Sequence, residues 1–426
     1  MNALIDDLSW RGLIAQSTDR EALSRELDEG PMTLYVGFDP TAPSLHLGNL
    51  LQILTMRRFQ LHGHRPLALV GGATGLIGDP KMAGERTLNP VDVVEGWAAR
   101  LRAELERFYD FDGPAAARMV NNYDWTKDVD VLTFLRDIGK HFSVNRMLDR
   151  EAVAARLANE GISYTEFSYQ LLQSFDYLEL FRRHGCRLQT GGSDQWGNIT
   201  AGVDLIRRVE GAHVHALTTP LVTKADGTKF GKTETGTVWL DASMTSPYAF
   251  FQFWLNADDR DVPTYLRLYS LRSHAEIEAL DEATRTDPAK RAAQRALAQE
   301  LTTLVHGSQA TAAVEAAAQA LFGQGDLAAV PPDTLGAALR EVPHATLDPA
   351  EITDGLLPDI VDLLTRTGLS ASRGAARRTI GEGGAYVNNV RVEDEAFRPP
   401  ASDLIDGRFL VLRRGRKTVA GVLLEG

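Results

Sequence analysis

The stretch Thr33 to Asn49, TLYVGFDPTAPSLHLGN, constrains this chain more than any other. Thr33 to Phe38 is apolar and rich in β-branched and aromatic residues, which predicts a strand, and Asp39-Pro40 breaks it. Leu47, Leu50, Leu51, Leu54 and Phe59 then recur at helical spacing, which predicts a helix over 47–61. A second apolar strand, RPLALVG from Arg65 to Gly71, follows at once. Strand, helix and strand in so short a span make a right-handed parallel unit of a doubly wound sheet. His46 and Asn49 stand at the mouth of the helix, where unpaired N–H groups and a partial positive charge suit a phosphate. A capped helix with a solvated histidine reads the same from these residues alone.

The rest of the chain narrows the class. Its 426 residues, 44% of them apolar, can fill the cores of roughly two or three domains. Cys186 is the only cysteine, so no disulfide forms within the chain, and there is no C-x-x-C pair for a structural zinc site. The N-terminal segment mixes acids with apolar residues, unlike a secretory signal, and no apolar run approaches the ~18 residues of a membrane span. A cytoplasmic enzyme is expected. The formal charge is −12, but from Val361 onward 11 Lys plus Arg stand against 8 Asp plus Glu. A basic tail on an acidic body fits an RNA partner at that end, with DNA and membrane disfavoured.

Along the chain, the glycines of GGATGLIGDP do not form G-x-G-x-x-G, which disfavours a dinucleotide site of the dehydrogenase type. The same turn brings Asp79 to the carboxyl edge of the sheet. Lys81 and Arg86, in the loop that follows, are candidate phosphate or tRNA contacts, with a solvated loop charge as the even alternative. Residues 91–156 are mostly helical in pattern. A long helix over Tyr164 to Arg183 carries Tyr169, Gln173 and Asp176 at i, i+4 and i+7, a polar row on one face. In LQTGGSDQWGN the diglycine that includes Gly192 permits close backbone approach, and Asp194 and Gln195 reach another helix mouth, where Asp194 suits ribose hydroxyls. Gly231-Lys232-Thr233 is no P-loop, because Asp226 stands where that motif needs glycine.

The domain reading is a catalytic α/β domain over 1–245, a helical domain over 246–325, a linker over 326–355 and a small α+β module over 356–426. That last module places Arg373, Arg377 and Arg378 on one short helix and Arg413, Arg414, Arg416 and Lys417 on a β-hairpin.

Three of these stretches carry a resemblance. DPTAPSLHLGN resembles the HIGH signature of class I aminoacyl-tRNA synthetases, and Lys229-Phe230-Gly231-Lys232-Thr233 resembles their KMSKS loop. The terminal module is similar to a small RNA-binding domain first known from a ribosomal protein. With GGATGLIGDP, FSYQLLQSFDY and LQTGGSDQWGNITAG, order and spacing resemble the bacterial tyrosyl-tRNA synthetases over nearly the whole chain.

The resemblance implies a Rossmann-like catalytic domain that joins L-tyrosine to tRNA(Tyr). ATP with Mg2+ is consumed, no zinc is used, and a homodimer forms through the 91–156 insertion. It implies that Tyr35 and Asp176 bind the phenol, that Asp79, Tyr169 and Gln173 hold the ammonium group, and that Gln195 faces the carboxylate. Gly37, Asp39, Gly48, Gly192 and Asp194 would meet the nucleotide. Thr41, His46, Asn49, Lys229, Lys232 and Thr233 would act on the triphosphate, and Arg373, Arg377, Arg378, Arg413 and Arg414 on RNA. Val36 stands where some members of the family have a polar residue beside the ribose, and the loop after Asp79 is a residue shorter than in some. The alternatives are a tryptophanyl-tRNA synthetase and a synthetase-derived RNA-binding protein without the ligase activity.

Overall fold

A computed structural model describes residues 2–425 apart from 82, 83, 160, 229, 234 and 235. The chain forms two compact units, Met1–Met244 with Asp258–Ala293, and Thr245–Ala257 with Gln294–Gly426.

The first unit is built on a sheet of six strands: β1 (Gln16–Ser17), β2 (Thr33–Phe38), β3 (Arg65–Val70), β4 (Arg118–Asn121), β5 (Cys186–Gly192) and β6 (His215–Thr219). Their spatial order is β1-β6-β5-β2-β3-β4, and every pairing is parallel except that of β1 with β6. Helix Leu47–Leu61 connects β2 to β3, helix Val91–Leu105 leads from β3 toward β4, and helix Trp196–Glu210 connects β5 to β6. The chain thus runs from β2 outward to β4 and then returns to the other side of β2. Between β2 and β5 the crossovers leave in opposite directions, so the carboxyl ends of these two strands open into a crevice. In doubly wound sheets that crevice is the ligand site.

The long helix Tyr164–His184 is held at both ends. The Ser163 side chain accepts from the Glu166 N–H, and Gly185 closes the helix in the left-handed conformation at φ 59°. Phe175, Tyr177, Leu178 and Leu180 of this helix pack with Tyr35, Leu67 and Leu69 of the sheet and with Trp125. That apolar contact fixes how the polar row at 169, 173 and 176 meets the strands. The reading of 91–156 as helical misses β4, a four-residue strand too short to show a period of two.

In the second unit, helices Pro247–Leu255, Ser308–Leu321 and Pro332–Arg340 accompany a five-stranded sheet. Its strands are β7 (His344–Leu347), β8 (Ala385–Val387), β9 (Val390–Arg391), β10 (Phe409–Arg414) and β11 (Thr418–Leu424), in the order β9-β8-β10-β11-β7. Helices Ile360–Arg366 and Arg373–Gly381 supply Ile360, Leu363, Leu364, Ala376 and Ile380 to a core shared with this sheet.

The 326–355 segment is not a free linker. β7 lies within it and pairs in parallel with β11, and helix Pro332–Arg340 packs against the same sheet. The edge of β11 supplies β7 with its partner, which composition alone does not reveal. The expected helical domain is also divided, since Asp258–Ala293 belongs to the first unit.

A Cβ added at Gly421 would lie 2.9 Å from the Leu339 Cβ and 3.2 Å from its carbonyl oxygen. Gly421→Ala is therefore expected to destabilise the second unit by about 1–3 kcal/mol, read by denaturant unfolding. An unchanged midpoint would mean that helix Pro332–Arg340 is not seated on the sheet.

Candidate active site

The floor of the crevice is a buried polar group between β2, β4 and the long helix. Asp176 is 3% exposed, and its two carboxylate oxygens accept from Asn122 Nδ2 and Trp125 Nε1, both at 2.9 Å. Burial pushes its pKa up to about 7, against the two hydrogen bonds, which favour the charged form. Tyr35, on β2, is also buried, and its hydroxyl has no hydrogen-bond partner among the described residues. Desolvation and the nearby Asp176 charge hold that phenol well above its ordinary pKa, so it stays protonated. The Gln173 amide oxygen is likewise buried and unpartnered. Such atoms cost roughly 1–3 kcal/mol each while unsatisfied, and they define where a polar ligand gains most.

A second carboxylate, Asp39, leaves the end of β2. Its oxygens accept from Thr74 Oγ1 at 2.6 Å and from the Tyr169 hydroxyl at 2.7 Å. Burial raises its pKa, the two donors lower it, and the charge of Asp79 adds to the rise. Gly71 makes this geometry possible, because a Cβ there would fall 2.0 Å from an Asp39 oxygen.

Asp79 is the third carboxylate. It accepts from Gln195 Nε2 at 2.9 Å and Asn198 Nδ2 at 3.1 Å, and the Arg150 guanidinium lies 3.7 Å away. Three carboxylates in one crevice make it an attractive place for a cation.

The sequence expectations meet the structure residue by residue. Asp39, Tyr169 and Asp176 share one hydrogen-bond network through Thr74 and Asn122, with Asp39 bound to the expected ammonium ligand Tyr169, and Asp79 and Gln195 share a second with Asn198, while Tyr35 lies buried beside Asp176. Asp194 lies 3.3 Å from Gln195 Nε2. Gly37 is the one exposed residue of β2, and a Cβ at Gly192 would meet the Asp194 carboxylate at 2.4 Å.

His46 caps helix Leu47–Leu61: its Nδ1 accepts from the Gly48 N–H at 3.1 Å, and its own N–H donates to Asn49 Oδ1 at 3.1 Å. A Cβ at Gly48 would meet the ring at 2.9 Å. Desolvation lowers the imidazole pKa, so the ring is neutral at pH 7 and, with Nδ1 accepting, carries its proton on Nε2. Thr41 is exposed just past the strand end, with its N–H on the Asp39 carbonyl at 2.8 Å.

Lys232 is exposed in a short hairpin, Lys232–Thr233 against Gly236–Thr237. The root of that hairpin is tied to the helix mouth, since Val238 accepts from the Leu47 N–H, Leu240 donates to the Leu45 carbonyl, and His46 bridges to Trp239. Lys229 and the Thr233 side chain lie outside the described residues.

Of the two loop cations, Lys81 is exposed, and Arg86 is turned inward with its Nε on the Asp79 carbonyl at 2.8 Å. Arg86 thus shapes the loop that presents Asp79. Arg413, expected at an RNA surface, is 9% exposed and buried against its own unit. Arg373 pairs with Asp359 and Asp362, and Arg377 with Glu395. Arg378 and Arg414 are exposed.

Sequence reasoning passed over Asn122, Trp125, Thr74, Asn198 and Arg150. The first two follow the missed strand β4, and recognising RMVN as a strand would have placed them at the crevice. Asn198 was within reach as the residue three after Gln195, on the first turn of the same helix.

Comparison with known proteins places these features. Residues 27–323 match the family described as tRNA synthetases class I (W and Y), and residues 335–421 match the tyrosine–tRNA ligase SYY-like C-terminal domain. The tyrosine–tRNA ligase of Streptomyces avermitilis is 62% identical over 429 residues, covering 100% of both chains. That of Mycobacterium tuberculosis is 60% identical over 421 residues, covering 98% of each. Among solved structures, a C-terminally truncated mitochondrial tyrosyl-tRNA synthetase of Coccidioides posadasii superposes with a TM-score of 0.66 at 31% identity. It covers 74% of this chain and 91% of its own.

The buried carboxyl can be examined without any substrate. An NMR titration of the Asp176 side-chain carbon is expected to show a midpoint near pH 7, and Asn122→Ala should move it higher by removing a donor to the charged form. A midpoint in the ordinary carboxylate range would show that the site is open to water.

Proposed function

The chain belongs to the class I aminoacyl-tRNA synthetases and, among these, to the tyrosine–tRNA ligases, and from that premise we propose which of its residues carry the reaction. A tyrosine–tRNA ligase activates L-tyrosine with ATP, giving tyrosyl-adenylate and pyrophosphate, and passes the tyrosyl group to the terminal adenosine of tRNA(Tyr).

The observation that carries the assignment is the unpartnered Tyr35 hydroxyl buried beside Asp176. A substrate phenol entering there donates to the Asp176 carboxylate and accepts from Tyr35. Phenylalanine would leave the Tyr35 hydroxyl buried without a partner and Asp176 without a further donor, and tyrosine-activating enzymes are the standing example of selectivity by that effect. The substrate ammonium group is assigned to Asp79, Tyr169 and Gln173, with Asp39 close by through Tyr169. Gln195 then faces the carboxylate that attacks the α-phosphate.

The nucleotide is assigned to Gly37, Gly48, Gly192 and Asp194, along the crevice from the amino-acid pocket. Thr41, His46, Asn49 and Lys232 are assigned to the phosphates, with Lys229 and Thr233 joining them by sequence. His46, neutral with its proton on Nε2, is a hydrogen-bond donor to phosphate oxygen. No side chain becomes covalent, so catalysis is alignment and charge stabilisation of the departing pyrophosphate.

Among the described residues no three His, Cys, Asp or Glu side chains gather as a metal cage. A magnesium ion brought by the nucleotide phosphates would neutralise charge on the departing pyrophosphate. For tRNA, the exposed Arg378, Arg414, Arg416 and Lys417 of the second unit make no ion pair among the described residues. For a homodimer, the insertion exposes Val131, Leu132 and Val144, each at least 58% exposed, as an apolar surface that a second copy would cover. No helix among the described residues is long and apolar enough to cross a membrane, and a cytoplasmic location completes the reading.

Amino-acid-dependent exchange of pyrophosphate into ATP is expected with tyrosine and not with tryptophan or phenylalanine. Asp176→Ala should lower kcat/KM for tyrosine on the order of a hundredfold while leaving the KM for ATP nearly unchanged. Equal losses for both substrates would sink the phenol assignment. Lys232→Ala should slow adenylate formation by roughly 10²- to 10³-fold with tyrosine affinity intact. A wild-type rate would remove the hairpin from the mechanism.

A further inference from the structure

Arg413 and Arg414 are neighbours on β10, and a strand turns successive side chains to opposite faces. Arg414 is exposed. Arg413 is turned inward, where its guanidinium lies 4.5 Å from the ring centroid of Tyr386, its cross-strand partner on β8. From there Nη1 donates to the carbonyl of Phe322 at 3.2 Å. Phe322 is the C-cap of helix Ser308–Leu321, so the cation sits where the helix dipole is negative and carbonyls lack helical partners. Asn389, in the β8–β9 turn at φ 68°, donates from Nδ2 to the Ala320 carbonyl of the same helix end at 2.8 Å. Gly323 leaves room for the guanidinium, since a Cβ there would lie 2.9 Å from both terminal nitrogens. Two side chains from the terminal sheet thus cap one helix from the preceding segment.

We infer that Arg413 and Asn389 are positioning residues for tRNA. They lock the terminal sheet to helix Ser308–Leu321, so that Arg378, Arg414, Arg416 and Lys417 approach RNA from one preassembled body and not from a tethered module. The consequence is affinity without an RNA contact, because the ordering of this surface is complete before tRNA arrives. The inference rests on the reading of the second unit as a tRNA-binding surface.

Substitutions separate a positioning role from a phosphate contact. In the full-length protein, Arg413→Ala is expected to raise the Kd for tRNA roughly tenfold while leaving tyrosine-dependent pyrophosphate exchange at the wild-type rate. The slope of log Kd against log salt should stay as in wild type, whereas Arg414→Ala should flatten it by about 0.7–0.9, the loss of one phosphate contact. Arg413→Lys keeps the charge but loses the planar stack and the fork of donors, so it should behave like Arg413→Ala. Asn389→Ala, a milder change, should weaken binding in the same direction.

Hydrogen exchange without RNA gives an independent reading: Arg413→Ala should speed exchange around residues 320–326. A flattened salt slope in Arg413→Ala, rescue by Arg413→Lys, or unchanged exchange at 320–326 would each overturn the inference. If Arg378→Ala and Arg414→Ala leave tRNA binding untouched while exchange at 320–326 still responds to Arg413→Ala, the tRNA surface is misassigned and the docking stands.

Discussion

The reversal of strand order between β2 and β5 is the constraint on which the first unit depends. Parallel strands need crossovers, and each crossover covers the part of the sheet toward which it runs. Where the chain leaves β2 in one direction and re-enters beside it at β5, two carboxyl ends lie side by side with no connection laid across them. Asp39 follows one of those ends, and Gly192 to Gln195 follow the other. Asp79 joins them from the turn after β3. The polar residues of the crevice are therefore dispersed in sequence because it is assembled from strand ends.

That crevice gathers negative charge, and the fold manages it unevenly. Asp79 has the Arg150 guanidinium 3.7 Å away and two amide donors. Asp39 has a threonine and a tyrosine hydroxyl, and Asp176 an amide and an indole, all neutral donors. Burial consequently raises both of these pKa values, and they also oppose one another through their charges. On the proposed assignment, an ammonium group near Asp79 and Tyr169 would relieve that repulsion, and a phenol at the far end would supply the partner that Tyr35 lacks. Selectivity for a ligand with those two groups at its two ends would, on the same assignment, come from these buried carboxylates and the Tyr35 hydroxyl.

Much of this was legible in the chain. The β2 and 47–61 elements follow from the β-branched and aromatic run Thr33–Phe38 and a leucine pattern, and the polar row at 169, 173 and 176 follows from helical spacing among apolar neighbours. What escaped was decided by partners far away in sequence. RMVN has no visible period in four residues and becomes β4 only through pairing with β3. With β4 unseen, Asn122 and Trp125 could not be placed behind Asp176. The segment with β7 looked like a linker because proline, alanine and aspartate dominate it, yet pairing with β11 gives it order. Composition reports propensity, and at these places tertiary pairing overrides it.

The second unit shows the same limit in its charges. Counting cations put Arg413 and Arg414 in one RNA-facing set, whereas strand alternation must send them to opposite faces once β10 is fixed. An arginine beneath the sheet is tolerable only if its charge meets compensating groups, and here it finds an aromatic face and a helix C-terminus. Both are weak partners compared with a carboxylate, and neither brings a full negative charge to this side of the sheet. A carboxylate in their place would neutralise Arg413 more fully, but on the proposed reading it would repel the nucleic acid assigned to the exposed Arg414. Stacking and helix capping therefore suit an arginine that must hold a basic surface in place without weakening its field.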